Sequence, residues 1–250
     1  MDRANLKKPL WISHRGYHNR AVENTFEAFR AAVDLGFTAC ETDLRITNDG
    51  HIVLIHDPTL LRLAHDSRRV SELSRFHLER IRFAGGGKPF FLDELVREFA
   101  GTNWTFDIKP EKGLQTIRAM VDWTRSRRLE AWLSNQVKFL LWHKDHEGFL
   151  KTLWPGAVCY ARKTECRRAD LAVLIGLPGL GGIQRNRTYA VPPKLAGIKF
   201  FRSVIVDRFH REQARTVAFL PKTQQDARRA VAAGFDEILT NGRMVDSDLS

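Results

Sequence analysis

Through most of its length the chain alternates short β-type apolar runs with longer amphipathic stretches, a pattern that favours βα units around a parallel sheet. LWISH (10–14) reads as the first strand. A helix follows: Asn24 and Glu27 have the spacing of an N-cap and its third residue, Phe26, Phe29 and Val33 make the apolar stripe, and Gly36 supplies the stop. FTACETDLRI (37–46) is the second strand. Asn48-Asp49-Gly50 then marks a tight turn into HIVLIH (51–56), so residues 43–56 should form a hairpin that folds His56 back towards Asp43. Further strands are expected at 104–109, 131–134, 157–161, 216–220 and 237–240, while residues 162–215 alternate less clearly.

A length of 250 residues suits one TIM-type (β/α)8 barrel, so the expectation is an α/β chain forming a single domain over 1–250, with a short β-hairpin extension after the second strand. An internal echo supports repeated units: RAAVDLGFTACETD (30–43) and RRAVAAGFDEILTN (228–241) both read as helix, Gly-Phe, strand and polar tip. It would put Asn241 at a position corresponding to Asp43. The glycine-rich PGLGG (178–182) and AGGG (84–87) lack the setting of a nucleotide-binding loop and read as turns.

At 43% apolar and 28% charged residues, the chain has the composition of a globular protein. The start MDRANLKKPLWIS has no apolar core of a secretion signal, and no run is long enough to span a bilayer. Cys40, Cys159 and Cys166 suggest neither a disulfide framework nor a zinc site, and a cytoplasmic location is expected. The net charge of +11 favours anionic partners, including a weak association with an anionic membrane surface. The arginines are scattered in short clusters without a recognition motif beside them, so no specific nucleic acid is expected.

Strand alternation places Glu41 and Asp43 on one face, where their repulsion inside a barrel calls for a cation or a basic partner. In the same way Asp107 and Lys109 share a face of a later strand. Three oxygen donors suit one hard divalent cation, Mg2+ or Ca2+, with positions left for water and phosphate oxygens; a structural ion pair of Asp107 with Lys109 is the alternative. His14 and His56 end two strands and are followed by Arg15, able to fork onto a phosphate, and Asp57, able to orient an imidazole. Two histidines can divide the acid and base roles of phosphodiester cleavage. His18 is the further histidine expected to border the pocket.

HRG (14–16), ENT with AF (23–25, 28–29), ETD (41–43), TNDG (47–50) and HD (56–57) occur in the order and spacing of the glycerophosphodiester phosphodiesterases, which the chain resembles most specifically through about residue 62. Later, DIK resembles that family's E-x-K strand with Asp for Glu, LS at 133–134 fits a later strand, and GFDEILTN resembles its terminal segment. The resemblance implies a (β/α)8 barrel hydrolysing glycerophosphodiesters to an alcohol and glycerol 3-phosphate. It makes His14 and His56 the acid/base pair, Glu41, Asp43 and Asp107 the metal ligands, and Arg15 and Lys109 the phosphate contacts.

Where the family carries W-T-V-N on a late strand, this chain has Phe219, Leu220, Pro221 and Lys222, and Asn241 replaces a terminal Asp. The D-x-K form also resembles the more distant spider-toxin-type phospholipases D. Two alternatives follow: a phospholipase D or lysophospholipase D-like enzyme that forms a cyclic phosphate from a lipid phosphodiester, and a non-catalytic anion-binding barrel.

Overall fold

In a computed structural model, residues 8–195 and 197–242 are described. They pack as two compact units, one of Ser13–Cys159 and one of the remainder, up to Ile12 and from Tyr160 onward.

Strand β1 (Leu10–His14), whose last two residues fall in the first unit, leads there into helix α1 (Phe26–Asp34), β2 (Ala39–Ile46) and β3 (Ile52–Leu54). The expected hairpin forms: β2 and β3 pair antiparallel with Leu44 opposite Leu54, and Gly50 at φ +86° makes the turn. All eight residues of β2 are buried, as befits a strand covered on both faces. Helix α2 (Leu92–Glu98) precedes β4 (Asn103–Ile108), which runs parallel to β2 with Asp43 and Asp107 as register partners. Helices α3 (Gly113–Ser126) and α4 (Glu130–Gln136), β5 (Val137–Leu141), α5 (Lys144–Leu153) and β6 (Val158–Cys159) complete the unit, with β4, β5 and β6 in parallel order. Phe29, Phe99, Trp104, Phe106 and Phe139 stack edge-on or tilted along its core, at 5.1 Å for Phe29 and Trp104.

Two expectations need correction. AWLS (131–134) lies within α4, and the strand begins at Val137. Lys138 interrupts the apolar run there, but Val137, Phe139 and Leu141 are all buried, and this alternation is the strand signal. The N-cap of α1 is Thr25, whose hydroxyl accepts from the Ala28 N–H; Asn24 is one residue upstream in left-handed conformation, φ 57°. The capping spacing was displaced because Asn24 is occupied elsewhere.

In the second unit, α6 (Lys163–Leu174), β7 (Thr188–Val191), α7 (Ser203–Arg211), β8 (Arg215–Phe219), α8 (Gln224–Ala233) and β9 (Glu237–Thr240) follow one another, and β8 pairs in parallel with both β7 and β9. Residues 162–215 thus hold two helices, the strand β7 and a short antiparallel pair, Lys194–Leu195 with Ile198–Lys199, that alternation alone did not resolve. PGLG forms a single 3-10 turn at Pro178–Gly181. The chain has the strand and helix succession of a TIM-type (β/α)8 fold, β1, β2 and β4 to β9 being its barrel strands. Among the described residues no helix is long and apolar enough to cross a membrane.

Candidate active site

Strands β2 and β4 bring three carboxylates together. Glu41 and Asp43 stand two residues apart on β2, and Asp107 is beside Asp43 on the adjacent strand, so each side chain leaves its backbone in the same direction. One carboxylate oxygen from each lies within 4.8 Å of the others, and all three residues are buried. Lys109, two residues beyond Asp107 and also buried, reaches back with Nζ 2.6 Å from both Asp43 Oδ1 and Asp107 Oδ2. The structural ion pair and the carboxylate cluster therefore coexist.

The three carboxyls differ in their environments. Burial raises Asp43, but Lys109 and Arg15 overcome it and hold the carboxyl below its ordinary range. Asp107 is raised by burial, an effect that Lys109 only partly offsets. Glu41 is raised furthest, by burial and then by the charges of Asp43 and Asp107. Its Oε2 accepts no hydrogen bond and has His14 Nε2 at 3.7 Å. A buried carboxylate oxygen with no donor, facing two further carboxylates, is a set of hard donors short of positive charge. These residues fit a divalent cation held by oxygen.

Local backbone explains how HRG and ENT serve the cluster. Arg15 and Asn24 both adopt left-handed φ of 57°, and each is tied in place: the Arg15 N–H donates to Glu41 O at 3.0 Å and the Asn24 N–H to Arg15 O at 3.0 Å. A side chain at Gly16 would come within 2.6 Å of the Ala28 backbone, so only glycine lets α1 approach this closely. Asn24 then donates to Asp43 Oδ2 at 2.8 Å and accepts from Thr42 at 2.9 Å. Arg15 places Nε 3.0 Å from Asp43 Oδ2 and Nη1 3.1 Å from Glu23 Oε1.

His56 follows β3 in a segment anchored by its own apolar cluster, in which Val53, Ile55, Leu60, Leu63, Val70 and Leu78 are buried. Arg45 fixes its backbone, donating from Nη2 to His56 O at 2.8 Å and from Nη1 to Glu111 at 2.9 Å. The ring Nδ1 is 2.7 Å from Asp57 Oδ1. Arg62 donates to Asp57 Oδ2 at 2.6 Å and to Glu23 Oε1 at 2.6 Å. A continuous chain of charges thus joins Asp43 through Arg15, Glu23, Arg62 and Asp57 to His56. His18 has its ring centroid 6.3 Å from that of His14.

Sequence reasoning overlooked Glu23, Arg45, Arg62 and Trp142 and misassigned Asn24. Trp142, the residue after β5, donates from Nε1 to Asp107 Oδ1 at 2.7 Å, so this carboxylate is held on both oxygens. Position at the C-terminal end of a barrel strand was the available signal.

A (β/α)8 fold with a buried carboxylate cluster on adjacent strands defines the class of barrel proteins that this chain resembles. Within it, the model of the glycerophosphoryl diester phosphodiesterase family matches residues 14–243, and the chain belongs to that family. A glycerophosphodiester phosphodiesterase of Caldanaerobacter subterraneus is 40% identical over 83 residues, a match covering 33% of this chain and 33% of that protein. The matched stretch thus spans about a third of that curated relative. Among solved structures, the glycerophosphoryl diester phosphodiesterase domain of an uncharacterized Mycobacterium tuberculosis protein superposes with a TM-score of 0.78 at 15% identity, covering 95% of this chain and 97% of that one. An Oleispira antarctica phosphodiesterase in complex with the product sn-glycerol-3-phosphate gives 0.71 at 18% identity, with 94% of each chain covered. These likenesses show the shared fold.

Proposed function

We propose that this chain hydrolyses glycerophosphodiesters to an alcohol and glycerol 3-phosphate, with Glu41, Asp43 and Asp107 holding one divalent cation, Mg2+ or Ca2+, and His14 and His56 serving as acid and base. The observation that carries the reading is the buried carboxylate cluster with an unmet Glu41 oxygen 3.7 Å from His14 Nε2. Family membership supports the reaction, and the product held by the Oleispira antarctica phosphodiesterase supports the substrate. The family match runs through both compact units, which supports reading residues 1–250 as one domain. Cys40, Cys159 and Cys166 are all buried, which suits a reducing cytoplasm.

In this reading each residue has a task. The bond from His56 Nδ1 to Asp57 sets the tautomer and leaves Nε2 to work, as in a histidine oriented by a carboxylate. One histidine takes the proton of the attacking water, and the other gives a proton to the departing alkoxide, so the diester and one water become the alcohol and glycerol 3-phosphate. Arg15, held at Nε and Nη1, offers Nη2 to a phosphate oxygen, and Lys109 presents its remaining N–H. The cation would supply charge for the phosphate oxygens as negative charge builds during displacement. Trp142 and Lys109 together brace Asp107, one methylene shorter than the family's Glu, from both sides.

The test is release of glycerol 3-phosphate from short-chain and long-chain glycerophosphodiesters with Mg2+, Ca2+ or Mn2+, and after chelation. Metal-dependent release lost on chelation is the expected result. A persistent cyclic phosphate would transfer the assignment to a phospholipase D-like reaction, and absence of turnover with every metal and substrate would sink the enzymatic reading.

A further inference from the structure

The end of α6 and the turn behind it gather apolar side chains at the surface. Leu171, Ile175, Leu177 and Leu180 are 58%, 59%, 52% and 72% exposed. All four fall on the end of α6, its cap or the 3-10 turn that packs against it. This ledge is fixed: the Leu177 N–H donates to Ala172 O at 2.9 Å and the Leu180 N–H to Leu177 O at 3.0 Å, while Gly181 is buried against Ala172. Scattered apolar side chains on a surface need no explanation, but a rigid group of four large aliphatic ones does.

The charge around the ledge is mostly positive, with Asp207 the exposed carboxylate nearest in sequence to Arg208. Arg168 donates from Nε to Gly181 O at 2.8 Å, and Arg208 reaches the Val173 carbonyl and closes over Gly176. Lys163, Arg167 and Arg185 are exposed on the same segment, whereas its two carboxylates, Glu165 and Asp170, are buried. From residue 171 through residue 206 the chain contains no Asp or Glu, yet it holds Arg185, Arg187, Lys194, Lys199 and Arg202.

We propose that this ledge docks on an anionic lipid surface, with Leu171, Ile175, Leu177 and Leu180 entering the boundary below the headgroups and the flanking arginines meeting lipid phosphates. Burial of aliphatic side chains and attraction of cations to anionic headgroups reinforce each other at such a surface. The side chains themselves favour lipid over a folded partner. At 72% exposed, Leu180 projects outward, which suits entry into a deformable layer better than seating in a rigid pocket. The inference stands apart from the proposed reaction, since none of these residues belongs to the carboxylate site.

Sedimentation with vesicles tests it. The full chain is expected to partition onto vesicles of equal parts phosphatidylcholine and phosphatidylglycerol, and not onto phosphatidylcholine alone. Replacing the four side chains with Ser should weaken that partitioning about tenfold or more while the far-ultraviolet spectrum stays unchanged. Leu177→Ser with Leu180→Ser, both in the exposed turn, should give an intermediate loss if the fourfold variant fails to fold. Arg167→Gln with Arg185→Gln should weaken binding and flatten its salt dependence. No binding to anionic vesicles would overturn the proposal, as would binding that the Ser variants retain in full. A dimer in solution that the Ser variants abolish, without any vesicle binding, would assign the ledge to a second copy instead.

Discussion

Each compact unit buries a glutamate, Glu165 in the second and Glu41 in the first, and the two are treated in opposite ways. In the second unit Glu165 is fully engaged, with Oε1 2.6 Å from Arg162 and Oε2 2.9 Å from Arg187 as well as accepting the Arg162 N–H at 2.8 Å. Glu237 there accepts the Tyr160 hydroxyl at 2.5 Å. In the first unit Glu41 is just as buried, but its Oε2 has no donor and two more carboxylates stand beside it. Asp170 provides the intermediate case. Its Oδ1 has no partner and burial alone pushes it up to about 8, yet no second carboxylate shifts it, so it keeps a proton rather than demanding a cation. Burial of a charge is therefore no signature of a site. Convergent carboxylates with unmet electrostatic need are.

Substitutions can break this contrast. The largest expected effect is on turnover: His14→Ala or His56→Ala should cut glycerol 3-phosphate release about 10³-fold with the melting temperature preserved, and full activity in both would refute the assignment. Next comes stability. Glu165→Gln leaves the Arg187 guanidinium buried with a weakened partner and should cost about 3 kcal/mol in urea unfolding. Glu41→Gln, by contrast, relieves a repulsion and should leave metal-free stability equal or higher, while abolishing the rise in melting temperature expected of the unsubstituted chain on addition of Mg2+ or Ca2+. Equal losses of metal-free stability from both would dissolve the distinction between the two units.

Asp170 adds a dependence on pH. Its folded-state value of about 8 lies above the ordinary 3.8, so the folded state binds the extra proton between those limits. Stability contributed by this neutral carboxyl is complete at low pH and is lost as pH rises through about 8. Asp170→Asn should flatten the decline between pH 4 and 8 in a series of melting curves, and an unchanged slope would count against the buried acid. The smallest effect concerns the charge chain to His56. Arg62→Met removes the link between Glu23 and Asp57 and should lower turnover about tenfold while calorimetry shows unaltered divalent-cation affinity.

Much of the first unit was legible locally. The 43–56 hairpin there, and the strands at 10–14 and at 237–240 of the second unit, emerge where the amino-acid order suggests, because strand alternation and an Asn-Asp-Gly turn act over a few residues. AWLS misled because so short a largely apolar run fits either a strand or one turn of helix, and the choice fell to packing of Leu133 and the alternation that starts at Val137. Asn24 misled for a different reason. Its side chain can cap a helix or serve a distant carboxylate, and the bond to Asp43 nineteen positions away wins.

The order of amino acids by itself determined that Glu41 and Asp43 share one face and Asp107 and Lys109 another, since successive side chains of a strand alternate whatever the surroundings. Only the tertiary structure decided that Asp43 and Asp107 are register neighbours, that Lys109 lies between them, and that Trp142 and Asn24 take up the remaining acceptors while Glu41 Oε2 goes without. Those pairings join residues far apart in the chain, as in the 66 positions between Arg45 and Glu111. Their partners are set by the parallel register and packing of whole elements, which no local periodicity encodes.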